Sequence, residues 1–143
     1  MKISRQGSVT WRGGIKDGRG AISTASGALK DYPYGFGSRF EGVPGSNPEE
    51  LIAAAHASCF TMALSLILGE AGLVATQLAT SAEVVLENVP DGFAITAVHL
   101  KLTGSVPGAD AAKFESLAAK AKAGCPVSKL IKAPITLTAT LVP

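Results

Sequence analysis

Two cysteines and two histidines carry the strongest claim to nucleophilic, redox or metal chemistry in this sequence of 143 residues. Cys125 stands between Gly124 and Pro126, where a short helix is expected to begin. Unpaired N–H groups and the positive end of a helix dipole favour a thiolate there. Cys59 lies about three turns inside a long apolar helix, where no dipole helps and apolar neighbours favour the neutral thiol. On the residues alone Cys125 is the more acidic thiol, while Cys59 is either a small core residue or a nucleophile. His56 precedes Cys59 by three residues, on nearly the same helical face. A Cys–His nucleophile or half a metal site could use that spacing, although a hydrogen-bonded core histidine is the plainer reading. With His99 alone in a strand, residues 56, 59, 99 and 125 match no local metal spacing, and no metal is expected.

A second group of chemically suggestive residues lies in DYPYGFGSRFEG. Tyr32, Tyr34, Phe36 and Phe40 interleave there with Gly and Pro. They could wall an apolar ligand, form a dimer contact, or make a satellite core under a loop. Arg39 is the cation embedded among them, and burying it would require an acidic partner.

The elements that must position these side chains follow from composition and pattern. Apolar residues make up 47% and charged residues 17%, and mean hydropathy is +0.31, which excludes disorder and predicts one domain with a large buried fraction. A net charge of +2 is too small for a nucleic-acid or anionic-lipid footprint. Lys2, Arg5, Arg12, Lys16, Arg19 and Lys30, against Asp17, are scattered as on a solvated sheet face. Two cysteines are too few for a disulfide scaffold, and MKISRQGSVT lacks the apolar core of a signal peptide. A reducing cytoplasm is the expected compartment.

Leu51 to Leu68 contains no Asp, Glu, Lys or Arg and is long enough for a membrane-span candidate. His56, Ser58, Thr61 and Ser65 inside it, its alanines, and the absence of Lys or Arg anchors favour a buried core helix instead. Asn47 as cap, Pro48 in the first turn and Glu50 three residues after Asn47 specify its start, and Gly69 and Gly72 its stop. A helix apolar all round must be covered all round. One sheet of so short a chain covers one face, so a second protomer is expected on the other.

SVTW, AIST and SRFEG read as short antiparallel strands. SAEVVLEN and the run Phe93 to Leu102, joined by Pro90, Asp91 and Gly92, read as a hairpin. Phe114, Leu117, Ala118 and Ala121 fall at helical spacing, with Lys113, Glu115, Lys120 and Lys122 opposite. A short helix over VSKLIK follows Pro126, and PITLTATLV alternates as a half-buried strand. The class is α+β, with antiparallel strands packed around a long central apolar helix.

The stretches NPEELIAAAHASCFTMALSLILGEAG, KAKAGCPVSKLIKA and PYGFGSRFEG together resemble the osmotically inducible protein C branch of the OsmC/Ohr family, and the similarity runs through nearly the whole chain. The resemblance implies a thiol-dependent peroxidase that reduces organic hydroperoxides and hydrogen peroxide. It also implies an intertwined α+β homodimer with active sites at the subunit interface and no metal or bound cofactor. Matched position by position, Cys59 would be the peroxidatic nucleophile, Cys125 the resolving thiol, and Glu49 and Arg39 the acidic and basic residues of the site. In the Ohr branch the catalytic arginine comes from an earlier loop, which here reads IKDGRG and offers Arg19 as the alternative to Arg39.

Under that reading Cys59 becomes a sulfenic acid, Cys125 condenses with it to a disulfide, and an external dithiol, by resemblance a dihydrolipoyl type, reduces the product. An arginine cannot be neutralised by burial, so Arg39 would supply the charge that stabilises the thiolate, oriented by Glu49. Ten residues of helix, about 15 Å of rise, separate Glu49 from Cys59, so Glu49 and Arg39 are expected to reach Cys59 of the other protomer. One rival reading is a dimeric, non-catalytic binding protein for an apolar ligand with structural cysteines. A thiol-disulfide oxidoreductase is disfavoured because the cysteines form no CxxC.

Overall fold

The computed structural model describes residues 1–143, which divide into two compact units, 1–51 and 52–143. The first unit holds a three-stranded antiparallel sheet of β1 (Gly7–Arg12), β2 (Arg19–Thr24) and β3 (Tyr32–Tyr34), in that order. SVTW and AIST form the expected strands. SRFEG does not, because α1 (Phe36–Phe40) takes its place. The Ser38 hydroxyl accepts from the Gly35 N–H at 3.0 Å and reaches the Ser46 carbonyl at 2.8 Å, closing a helical turn where the sequence pattern suggested extension. The third strand is instead Tyr32–Tyr34, paired with Gly20 to Ile22 of β2. No apolar side chain of residues 1–51 is buried; the buried positions are Gly20, Ser46 and Asn47.

The unit boundary falls within the first turns of α2 (Pro48–Glu70). Both of its ends are built as the sequence specifies. The Asn47 Oδ1 accepts from the Glu50 N–H at 2.8 Å, with Pro48 first in the helix, where its missing N–H costs nothing. At the far end Leu73 N–H reaches the Leu68 carbonyl and Gly72 N–H the Gly69 carbonyl. This is a Schellman stop, which Gly72 permits through its φ of +75°.

The second unit folds around one stripe of that helix. His56, Phe60, Leu64 and Leu68, each four residues after the last, are its buried positions. The leucines and Phe60 join Leu100, Leu102, Val106, Phe114, Leu117, Ala118, Ala121 and Cys125 in the core. Strand β4 (Gln77–Val89) pairs antiparallel with β5 (Gly92–Ser105) through the Pro90–Asp91 turn, with a register shift at Val85/Leu86. Helix α3 (Ala111–Gly124) buries the four residues expected of it. Then α4 (Pro126–Leu130) leads to β6 (Ile135–Leu141), which alternates half-buried and exposed positions as predicted. The class is α+β, and one pairing qualifies its antiparallel character: β6 lies parallel to β5. The intervening α3 and α4 supply the long crossover that a parallel pair requires. Gly104 of β5 marks how closely α3 packs on the sheet, since a Cβ there would meet the Phe114 ring at 2.5 Å.

Other faces of α2 are open to solvent, with Met62 76% and Leu66 66% exposed. By length and composition the helix could cross a membrane, its best window having a mean hydropathy of 1.9, but its buried stripe is already committed to this core.

Candidate active site

The two cysteines, far apart in sequence, meet in the second unit. Pro126 drives Cys125 out of the helical region, as a residue preceding proline must go, and Cys125 adopts φ −62°, ψ 125°. It therefore ends α3 and begins α4 at once. Its N–H closes onto the Ala121 carbonyl at 2.9 Å, and its carbonyl accepts from Lys129 at 3.1 Å. The backbone needs of two helix ends thus hold the residue in place, and its side chain is fully buried. Cys59, in the fourth turn of α2 one residue before the buried Phe60, is half-buried beside it. Both are free thiols, within hydrogen-bonding reach of each other.

The two sulfurs are electrostatically unequal. Burial pushes the Cys59 thiol up, donation to Cys125 and the charge of that neighbour raise it further, and the Val127 N–H offsets only part of this. Burial would likewise raise Cys125, but the Cys59 thiol, the N–H and hydroxyl of Ser128 and the Val127 N–H surround its sulfur as donors and bring it below the ordinary thiol range. None of them closes a regular capping bond to the sulfur. The ordering expected from the residues alone therefore holds within this chain. Its cause is the local donor cluster more than a dipole, because α4 is only five residues long.

His56 is fully buried, and its Nε2 lies 2.7 Å from Ser128 Oγ. The core-histidine reading is half met, since Nδ1 is buried with no partner. Burial lowers the pKa of the ring, which stays neutral. Ser128 was not legible as a site residue. Its signal was the spacing CPVS, which returns the third residue of a short helix to the cap. His99 sits elsewhere, on an exposed face of β5, 2.6 Å from Thr136 Oγ1.

The first unit assembles the charged pair. Arg39 lies in the last turn of α1 and Glu49 in the first turn of α2. Nη2 donates to Oε1 at 2.8 Å, and Nε lies 3.3 Å from each carboxylate oxygen. Asn47, whose Nδ2 donates to the Ser38 carbonyl at 3.3 Å, fixes the spacing between those two helix ends. The acidic partner demanded by Arg39 is therefore Glu49, whose side chain is only 12% exposed. Arg39 also stacks on Phe40, 5.3 Å from the ring centroid. It lines a cavity of about 210 Å³ with Trp11, Ile15, Tyr34, Phe36 and Phe40. The sequence alternative, Arg19, is exposed in β2 and forms no ion pair.

An apolar cavity of about 320 Å³ in the second unit is lined by Ile52, Ala55, Val98, Val127, Leu130 and neighbours. Val127 is common to this cavity and the thiol pair, and Ala55 lies one helical turn before Cys59.

Comparison with known proteins bears on this geometry. The profile of the family described as OsmC-like protein matches residues 40–140, a span that includes Glu49, Cys59 and Cys125. The chain is 57% identical to peroxiredoxin OsmC of Escherichia coli over 137 residues, 96% of each chain. It is 35% identical to the organic hydroperoxide resistance protein of Xanthomonas axonopodis pv. citri over 101 residues, 70% of this chain and 69% of that one. The crystal structure of the organic hydroperoxide resistance protein OhrB of Bacillus subtilis superposes with a TM-score of 0.68 at 27% identity, covering 96% of this chain and 98% of that one.

Proposed function

The chain belongs to the OsmC-like family, and from that premise we propose that it is a cysteine-based peroxidase that reduces organic hydroperoxides and hydrogen peroxide. One observation carries the reading: two reduced thiols from distant parts of the chain meet inside the fold, one wholly buried and one half-buried. The names of the relatives, a peroxiredoxin and hydroperoxide resistance proteins, support the same chemistry. The apolar cavity that shares Val127 with the thiols suits a hydrocarbon substituent on the peroxide.

The cycle balances as follows. Cys59 thiolate attacks the distal peroxide oxygen, the O–O bond breaks, and the departing alkoxide takes a proton to leave as alcohol, or as water from hydrogen peroxide. Cys59 is left as a sulfenic acid. Cys125 thiolate displaces hydroxide from that sulfur, and a disulfide forms. An external dithiol, which we take to be of dihydrolipoyl type, returns two electrons and two protons. No cofactor takes part.

Within one chain the surrounding donors favour negative charge on Cys125 over Cys59. A fixed cation is needed to draw it to Cys59, and Arg39, held by Glu49, is the candidate. On a continuous helix Glu49 and Cys59 are separated by about 15 Å of rise, so the cation comes from a second copy. The homodimer has its own physical support. A 51-residue unit without a buried apolar side chain, and a helix with Met62 and Leu66 bare, both need covering. The absence of a disulfide scaffold fits a reducing cytoplasm.

Steady-state assays with dihydrolipoamide, comparing cumene hydroperoxide with hydrogen peroxide, test the activity. Mass spectrometry after one equivalent of peroxide should find the Cys59–Cys125 disulfide; two persistent free thiols would defeat the mechanism. The aromatic cavity around Arg39 favours the rival reading as a binding protein, in which Cys59→Ser retains function.

A further inference from the structure

Four side chains interact in succession, His56 and Cys59 from α2, Ser128 from α4 and Cys125 from the α3–α4 junction: His56 with Ser128, Ser128 with Cys125, and Cys125 with Cys59. Ser128 is buried and touches His56 Nε2 at 2.7 Å; it stands three residues after Cys125, and its N–H and hydroxyl both favour negative charge on the Cys125 sulfur. The direction of the hydrogen bonds follows from counting protons. A neutral imidazole carries one N–H. Placed on Nδ1, that hydrogen would be a buried donor with nothing to accept it, and the Ser128 hydroxyl would be spent on Nε2. Placed on Nε2, it donates to Ser128 Oγ, leaves only a lone pair at the empty Nδ1, and frees the hydroxyl hydrogen to point at sulfur.

We propose that His56 and Ser128 are positioning residues for the resolving thiol, forming a one-way donor chain, His56 Nε2–H to Ser128 Oγ–H, aimed at the sulfur of Cys125. The inference rests on the peroxidase reading for its purpose and on the geometry for its existence. Cys125 must be anionic twice in the cycle. It attacks the Cys59 sulfenic acid as a thiolate, and it departs as one when the disulfide is reduced. Exposure sets the order of that second event. Cys125 is fully buried and Cys59 is not, so a thiolate of the external dithiol attacks the Cys59 sulfur. The Cys59–Cys125 bond breaks, and its electron pair goes to Cys125. The second thiol of the reductant then displaces Cys59 from the mixed disulfide and leaves as the oxidised dithiol. A thiol of lowered pKa is the better leaving group, so the donor chain would speed both halves.

Within residues 52–143 the titratable groups facing Cys125 are Cys59 and, through Ser128, His56. The rest of the core cluster to which it belongs, from α2, β4, β5, α3, α4 and β6, is apolar. The titration can therefore be read. In a Cys59→Ser background, absorbance at 240 nm against pH follows Cys125 alone. Ser128→Ala should raise its apparent pKa by about one unit, a tenfold loss of thiolate at a pH below it. His56→Leu should shift it in the same direction, and the double substitution should go no further than Ser128→Ala. Ser128→Thr and His56→Gln, which keep a hydroxyl and an Nε2 donor, should restore it. With Cys59 present, Ser128→Ala should lengthen the sulfenic acid lifetime, measured by dimedone trapping, about tenfold near neutral pH. That difference should vanish once the pH exceeds the Cys125 pKa. An unchanged titration in Ser128→Ala overturns the proposal, as does a slowing that is equal at every pH. If His56→Leu does not fold, the serine variants decide alone. If the native chain never forms a sulfenic acid, the peroxidase reading falls and the titration still judges the donor chain.

Discussion

At the scale of single residues the site consists of two sulfurs in unequal surroundings, one disfavouring and one favouring negative charge. Each polar group around them is a weight on one side. Ser128 and the donation from Cys59 weigh for Cys125, and an arginine would weigh for Cys59. Cys59→Ser should abolish hydroperoxide turnover, by about a thousandfold or more in kcat/KM. Cys125→Ser should still consume one equivalent of peroxide but fail to turn over with a dithiol. Stopped-flow peroxide consumption separates the two. Glu49→Gln should lower kcat/KM about tenfold or more, because it loosens the Arg39 guanidinium without removing its charge; an unchanged value would disconnect the pair from catalysis.

His56 makes a separate prediction about stability. Its pKa is below the ordinary 6.5 when folded, so as pH falls through about 6.5 the unfolded chain takes up the proton first and the folded state loses ground. Urea unfolding from about pH 7.5 to about pH 5.5 should show this loss, at most about 1.4 kcal/mol per pH unit from this group, and His56→Gln should flatten it. Both cysteines were legible from residue type and local context. The His56–Ser128 contact was not, because it joins positions 72 apart and no local pattern encodes it.

Elements were legible where local and tertiary signals agreed. The start of α2 was written in Asn47–Pro48 and its stop in Gly72, and α3 in the spacing of Phe114, Leu117, Ala118 and Ala121. SRFEG misled because a five-residue helix has no room to show a period. What decides it is the Ser38 hydroxyl, bonded to Gly35 and to Ser46 eight residues on. The parallel pairing of β6 was equally hidden, since an alternating strand reads the same in either direction. Gly72→Ala, forced to φ +75°, should destabilise by about 1 kcal/mol. Gly104→Val should cost more, because its Cβ meets the Phe114 ring and the backbone of β5 cannot retreat. Thermal melts of the two variants give the ranking.

At the scale of the whole molecule, one chain is incomplete in two ways: its N-terminal unit lacks an apolar core, and α2 presents large apolar side chains to water. The proposed dimer answers both. The native chain should sediment at twice its monomer mass, and Leu66→Glu should shift it to the monomer with loss of peroxidase activity. A fully active monomer would end the shared-site reading.

The parallel seam between β5 and β6 also orders events in time. A growing chain exposes Cys59 long before α3, α4 and the last strand exist, and its contact with Cys125 spans most of the second unit. Throughout that interval an oxidised Cys59 has no internal thiol to condense with and is open to any other thiol it meets. Under the proposed cycle, closing the second unit through α3, α4 and β6 is therefore the step that turns a vulnerable cysteine into one half of a reversible couple.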